Sequence, residues 1–136
     1  MNGKYRIFYF FLPLLLMLLL NALAEQYHLY FYFWWLDMPV HFFAGYFVAQ
    51  LVIVLVAQLK KWDTTALLTR EMIALSVLVA LFVGLIWEMY EFFFNSHIIP
   101  SRHYLLDTVL DVGMDAVGGL FGAYVLRKSR YNGKHE

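Results

Sequence analysis

Four stretches of the chain, roughly Ile7 to Ala24, Pro39 to Leu59, Met72 to Phe94 and Tyr104 to Leu126, are nearly unbroken runs of apolar residues. Each is close to the roughly 20 residues that a helix needs to cross about 30 Å of hydrocarbon. In that medium every backbone N–H and C=O must be bonded within the protein, which leaves only helices and closed barrels. The runs lack the period-two alternation of barrel strands, so they read as helices. The expected fold is all-α: an integral membrane bundle of four transmembrane helices, forming a single transmembrane domain over residues 1–136. Composition agrees, since only 15% of residues are charged against about 25% in a soluble domain. A chain of 136 residues is too short for a two-domain enzyme. With no cysteine it has no thiolate chemistry, and a net charge of zero argues against a nucleic-acid partner.

The cations orient the expected bundle. Lys4 and Arg6 precede the first run, Lys60, Lys61 and Arg70 lie between the second and third, and Arg127, Lys128, Arg130 and Lys134 follow the fourth. Only Arg102 falls on the other side. The positive-inside rule then makes both termini and the middle loop cytoplasmic, with the 25–38 and 95–103 connections facing outward. The first run also fits a secretory signal, with Lys4 and Arg6 before it and Ala22-Leu23-Ala24 as a small-residue cleavage site. Cleavage there would leave three spans in the same orientation. The aromatic segment from Tyr27 to Trp35 has the composition of a membrane-interface anchor.

Six of the ten carboxylates lie within or at the edges of these apolar runs: Asp37, Glu88, Glu91, Asp107, Asp111 and Asp115. Ionisable groups are costly in hydrocarbon and mark a functional site by default. Residues three or four apart share a helix face. Asp37 therefore goes with His41, Glu88 with Glu91, and Asp107, Asp111 and Asp115 form one stripe about 12 Å long. Turning the three faces inward makes a polar pocket near the outer face. Asp37 before Pro39 also reads as a helix cap, Asp107 as a charge tolerated by the helix dipole, and Glu91 as a group reaching the interface. Glu88, Asp111 and Asp115 lie deeper and escape these explanations.

So many like charges either protonate or recruit a cation. In the metal reading Asp37, Glu88, Asp107, Asp111 and Asp115 are candidate ligands of Mg²⁺, Mn²⁺, Ca²⁺ or Zn²⁺. His41 and Glu91 are then the candidate acid–base residues, with Arg102 as the one fixed cation beside them. In the other reading the carboxyls form a protonated relay or bind a cation. The inner halves of the spans offer few polar groups, chiefly Gln50, Gln58 and Ser76, which favours a site open to one side. Gly118 and Gly122 have the small-xxx-small spacing of close helix packing, within the chain or with a second copy of it.

Asp37-Met38-Pro39-Val40-His41-Phe42-Phe43 resembles the D-x-x-x-H-F element of the VanZ-like family of small bacterial membrane proteins. Ser101-Arg102, followed by Asp107, Asp111, Asp115, Gly118 and Gly122, resembles its later element, an arginine before an acid-rich, glycine-spaced helix. With the Trp87-Glu88 helix, the resemblance covers about the last 100 residues. The chain departs from the family pattern at Glu88, where an amide is usual, and at Asp115, where an asparagine is usual. The resemblance implies a multi-pass protein of the cell envelope, with some relatives linked to glycopeptide-antibiotic resistance. The expectation is a membrane enzyme, a metal-dependent hydrolase or transferase acting on a lipid-linked or phosphorylated, anionic envelope substrate. A cation- or proton-binding module and a non-catalytic assembly factor stand as alternatives.

Overall fold

The computed structural model describes residues 3–59, 70–94 and 104–132, all but a few of them helical. The chain runs through α1 (Gly3–Gln26), the short α2 (Leu29–Tyr32), a 3₁₀ turn (Trp34–Leu36), and the long helices α3 (Asp37–Leu59), α4 (Arg70–Phe94) and α5 (Tyr104–Asn132). Among the described residues three helical segments, Asp37–Val56, Arg70–Phe94 and Leu105–Leu126, are long and apolar enough to cross a membrane. The first expected span is helical throughout, but it contributes a shorter apolar helix, Leu14–Gln26. The expectation of four spans is thus met by three such segments and one shorter apolar helix.

The three long helices form the body of the protein, with α3 and α5 packed most closely. The reason is the absence of side chains where the backbones meet. A Cβ on Gly118 would strike the carbonyl of Phe42, one on Gly122 the carbonyl of Tyr46, and one on Gly45 the backbone of Asp115. Lipid tails give apolar side chains no incentive to leave them, so such close approach supplies much of the attraction between membrane helices. The ring of Phe121 packs beside those of Phe42 and Tyr46, at centroid distances of 5.8 and 6.0 Å. The pairs His41–Asp115, Phe42–Gly118 and Tyr46–Gly122 rise together along both helices, so α3 and α5 run parallel. On α4 the order is reversed: Ala80 meets Gly119, and Gly84 meets Asp115. Met72, Ser76, Ala80, Gly84 and Glu88, spaced by four, are its buried stripe.

α1 packs differently. Of its described side chains only Ala24 is buried, while Leu15, Leu18, Leu19 and Leu20 are exposed. A left-handed residue, His28 at φ 54°, turns the chain from α1 into α2. Tyr27, Phe31, Tyr32 and Trp35 around it are exposed, in keeping with an interface anchor. Tyr30 turns back instead and donates its hydroxyl hydrogen to Asn21 Oδ1.

Candidate functional site

The site is assembled at the end of the bundle where α3 begins, α4 finishes and α5 begins. Asp37 opens α3 directly from the 3₁₀ turn, and His41 follows one turn later on the same face. The His41 ring is 3% exposed, and Asp111 and Asp115 are each 2% exposed. His41 Nδ1 lies 2.9 Å from Asp115 Oδ2. Where the Asp115 carboxyl is ionised it only accepts, so the Nδ1 hydrogen lies in this contact, and Nε2 is an acceptor in the neutral ring and a donor in the imidazolium.

Nε2 lies among carboxylate oxygens. Nε2 is 3.6 Å from Glu88 Oε1 and 3.9 Å from Asp37 Oδ2, and it has no hydrogen-bond partner among the described residues. Asp111 Oδ1 is likewise buried without one. One ligand atom from each of Asp37, His41 and Asp111 can be chosen so that all three lie within 4.8 Å of one another. Neighbouring ligands held at about 2.1 Å from one metal ion lie about 3.0–3.4 Å apart, so the trio would have to draw together by an ångström or more to close on a cation. The donor set, one imidazole with carboxylates, suits Zn²⁺, Mn²⁺ or Mg²⁺.

The other predicted residues take distinct places. Glu88 contributes Oε1 to the same group of oxygens, and its Oε2 accepts a hydrogen bond from Thr108 Oγ1 at 2.7 Å. Asp115, expected as a ligand, uses Oδ2 to orient His41, the carboxylate–histidine arrangement that holds a metal-binding ring in place. Asp107 is half-buried, one turn toward the start of α5 from Asp111. Glu91 lies at the rim of α4, where its Oε1 accepts a hydrogen bond from Trp87 Nε1 at 2.9 Å. Arg102 lies outside the described residues.

Three contributors were not singled out from the sequence. Thr108 is one; its only signal is its place next to Asp107 on the acid-rich helix. Gly45 and Gly84 are the others. A Cβ on Gly84 would take the space of Asp115 Oδ2, so Gly84 makes room for the carboxylate that orients His41. The spacing of Gly84 one turn before Glu88 hints at this. Away from the site, Ser76 is buried but donates to its own helix at Met72 O, 2.7 Å away, and Gln58 is exposed. Outside the membrane-spanning segments, Tyr30 has its phenol pushed well above the usual tyrosine range, first by burial and then by the Asp37 and Glu91 carboxylates.

Such a bundle, with buried acids and an imidazole gathered at one end, defines a helical membrane protein with an intramembrane polar site. The chain belongs to the family described as "Predicted membrane protein (DUF2238)", which matches residues 6–131. Neither a curated protein nor a solved structure matches it.

Proposed function

We propose that the protein is a VanZ-like envelope membrane protein whose acidic end holds a divalent cation and uses it for hydrolysis or transfer at a phosphoryl group of a lipid-linked or phosphorylated substrate. The observations that support this reading are two buried atoms without hydrogen bonds, His41 Nε2 and Asp111 Oδ1, on residues that with Asp37 can each offer a ligand atom within 4.8 Å of the other two. A buried acceptor left alone costs about 1–3 kcal/mol, more if charged. A cation satisfies both at once and offsets two of the surrounding carboxylate charges. In this reading α1 is the fourth span, and the positive-inside rule places the site on the outer side.

The chemistry follows from the donor set. A divalent cation held by Asp37, His41 and Asp111 would supply Lewis-acid polarisation of a phosphoryl oxygen and of an attacking water. Glu91 would be the acid–base residue, taking a proton from the attacking water as its oxygen bonds to phosphorus and returning it to the leaving oxygen as the bond from phosphorus to that oxygen breaks. In a transfer reaction an acceptor hydroxyl takes the place of water. Asp115 keeps the His41 ring oriented throughout, and Thr108 does the same for Glu88. Of the polar side chains singled out in the inner halves of the spans, Ser76 is bonded to its own helix, Gln58 is exposed and Gln50 is buried, a sparse set that favours a one-sided site over a carrier.

The test is the metal content of detergent-purified protein, prepared with Mg²⁺, Mn²⁺ and Zn²⁺ present, against an Asp37→Asn, Asp111→Asn double variant. The expected result is one metal ion per chain in the parent and at least a hundredfold weaker binding in the variant. The variant should be equally or more stable to heat, because removing uncompensated buried charge is often neutral or stabilising. Metal-free protein in both overturns the reading and leaves protonated carboxyls, hence proton or cation relay or assembly, as the account of the cluster.

A further inference from the structure

Beside the acid cluster, on the other side of α3, lies a cavity of about 460 Å³ between α1 and α3. Leu16, Met17, Leu20 and Ala24 of α1 form one wall, and Pro39, Val40, Phe43 and Phe47 of α3 the other. The volume is that of a small-molecule site, which runs from about 300 to 1,000 Å³. The polar side chains on its wall, Tyr30 and Asn21, are hydrogen-bonded to each other. Nothing in it asks for a polar ligand. Leu16, Leu20 and Phe43 are themselves exposed, so the cavity opens sideways onto the surface that a bilayer covers.

Two features identify the occupant. The first is depth. From Leu16 to Ala24, and from Pro39 to Phe47, the walls extend eight residues, about 12 Å at 1.5 Å per residue. A single leaflet of hydrocarbon is about 15 Å deep, half of the whole core. The second is continuity with the charged end. Leu36, Pro39 and Val40 of the wall alternate along the chain with Asp37 and His41 of the site, so one turn of α3 presents apolar atoms to the cavity and ligand atoms to the pocket. Tyr30 on the wall feels the charges of Asp37 and Glu91. A molecule with its chain in the cavity therefore has its headgroup at the acid cluster. Even with a divalent cation bound there, carboxylates remain in excess, Glu91 and Asp107 among them, and they repel an anionic headgroup while attracting an ammonium.

We propose that the cavity between α1 and α3 receives one acyl chain of an amine-bearing zwitterionic phospholipid, whose headgroup lies over Asp37 and His41. This deepens the phosphoryl-transfer reading, on which it rests for the placement of the lipid phosphate beside the cation. The lipid enters from the bilayer, not from water. α1 serves as the outer wall of its binding site, which accounts for a helix whose described side chains are mostly exposed while Ala24, on the cavity wall, is buried.

The experiment reconstitutes the full chain in bilayers containing a trace of phosphatidylethanolamine with a photoactivatable diazirine in one acyl chain, and maps the labelled residues. Labelling at Leu16, Leu20, Phe43 and Phe47 should exceed that at Leu78 and Phe82, exposed residues of α4, by about tenfold. Leu20→Trp, at an exposed position, and Ala24→Trp, at a buried one, should each fill the cavity and abolish the excess. Leu20→Trp keeps the test valid if Ala24→Trp does not fold. The same probe built on phosphatidylglycerol should label the cavity about tenfold less. Uniform labelling over α1, α3 and α4 overturns the proposal, and equal labelling by the two probes overturns its choice of headgroup. Metal content measured on the same samples separates the two readings: cavity labelling without metal sinks the cation and spares the lipid, and metal without cavity labelling does the reverse.

Discussion

The two ends of the α3–α5 bundle are made from the same three helices but differ in charge. Toward the end of α3 the buried residues are uncharged, Ala49 and Ile53 with the polar Gln50 and Ser76 beside them, Met72 packed on Val56 and Ala123 fully enclosed. Toward its start they are His41, Glu88, Asp111 and Asp115. Glycine meets backbone between α3 and α5 at Gly45 against Asp115 and at Gly122 against Tyr46, contacts made without any acid side chain, so the helices can pack closely without acids. The acids are then an added cost that packing does not require. In hydrocarbon such a cost persists where the groups have a task.

The comparison is broken most directly at Asp115. If its carboxylate serves to orient His41, Asp115→Asn leaves the helices in place, since the amide fits the space that Gly84 provides. It nevertheless weakens the grip on the Nδ1 hydrogen. Partners of this kind typically contribute 10- to 100-fold to metal affinity. The expected outcome is a loss of about that size in metal binding by titration, with thermal stability unchanged within about 1 kcal/mol. Unchanged metal affinity would show that the His41–Asp115 contact serves packing, and the two ends would then differ in composition alone.

Ile53→Ala makes the reciprocal change. Ile53 is fully buried at the uncharged end. Lipid solvates a leucine-like side chain as well as protein does, so the loss is confined to packing, about 1–2 kcal/mol. Thermal unfolding in detergent should fall accordingly, while metal stoichiometry and affinity stay at the parent values. A drop in metal affinity would mean that the ends are mechanically coupled, and the division drawn above would fail.

Much of this division is legible in the sequence. The apolar runs have a length that only a bilayer explains, and the three- and four-residue spacings of the acids follow from helical geometry alone. What spacing does not convey is partnership across helices. Asp111 and Asp115 share a stripe, yet one has an oxygen without a partner and the other is committed to His41 Nδ1. Thr108 and Gly84 matter through what α4 and α5 bring opposite them. Nor does an apolar run reveal its surroundings, because leucines facing lipid and leucines facing protein look alike. That is why α1 reads as an equal member of the bundle and packs as a peripheral one.

Gly113 sharpens the comparison further by moving it from ends to faces. It lies two residues from both Asp111 and Asp115, about 200° around α5 from each. A Cβ there meets nothing within 4 Å, whereas one on Gly118 would strike Phe42. Glycine inside a helix costs about 0.5–1 kcal/mol relative to alanine through backbone freedom in the unfolded chain. Gly113→Ala should therefore raise stability by about that amount and leave metal binding untouched, measured by thermal unfolding and metal titration on one preparation. A loss of metal binding would place the outer face of α5 in the site and require a partner, a lipid or a second copy of the chain, that the acid stripe alone does not call for. A gain in stability with metal binding unchanged would confine the chemistry to the face of α5 that looks at α3 and α4, however close in sequence its neighbours lie.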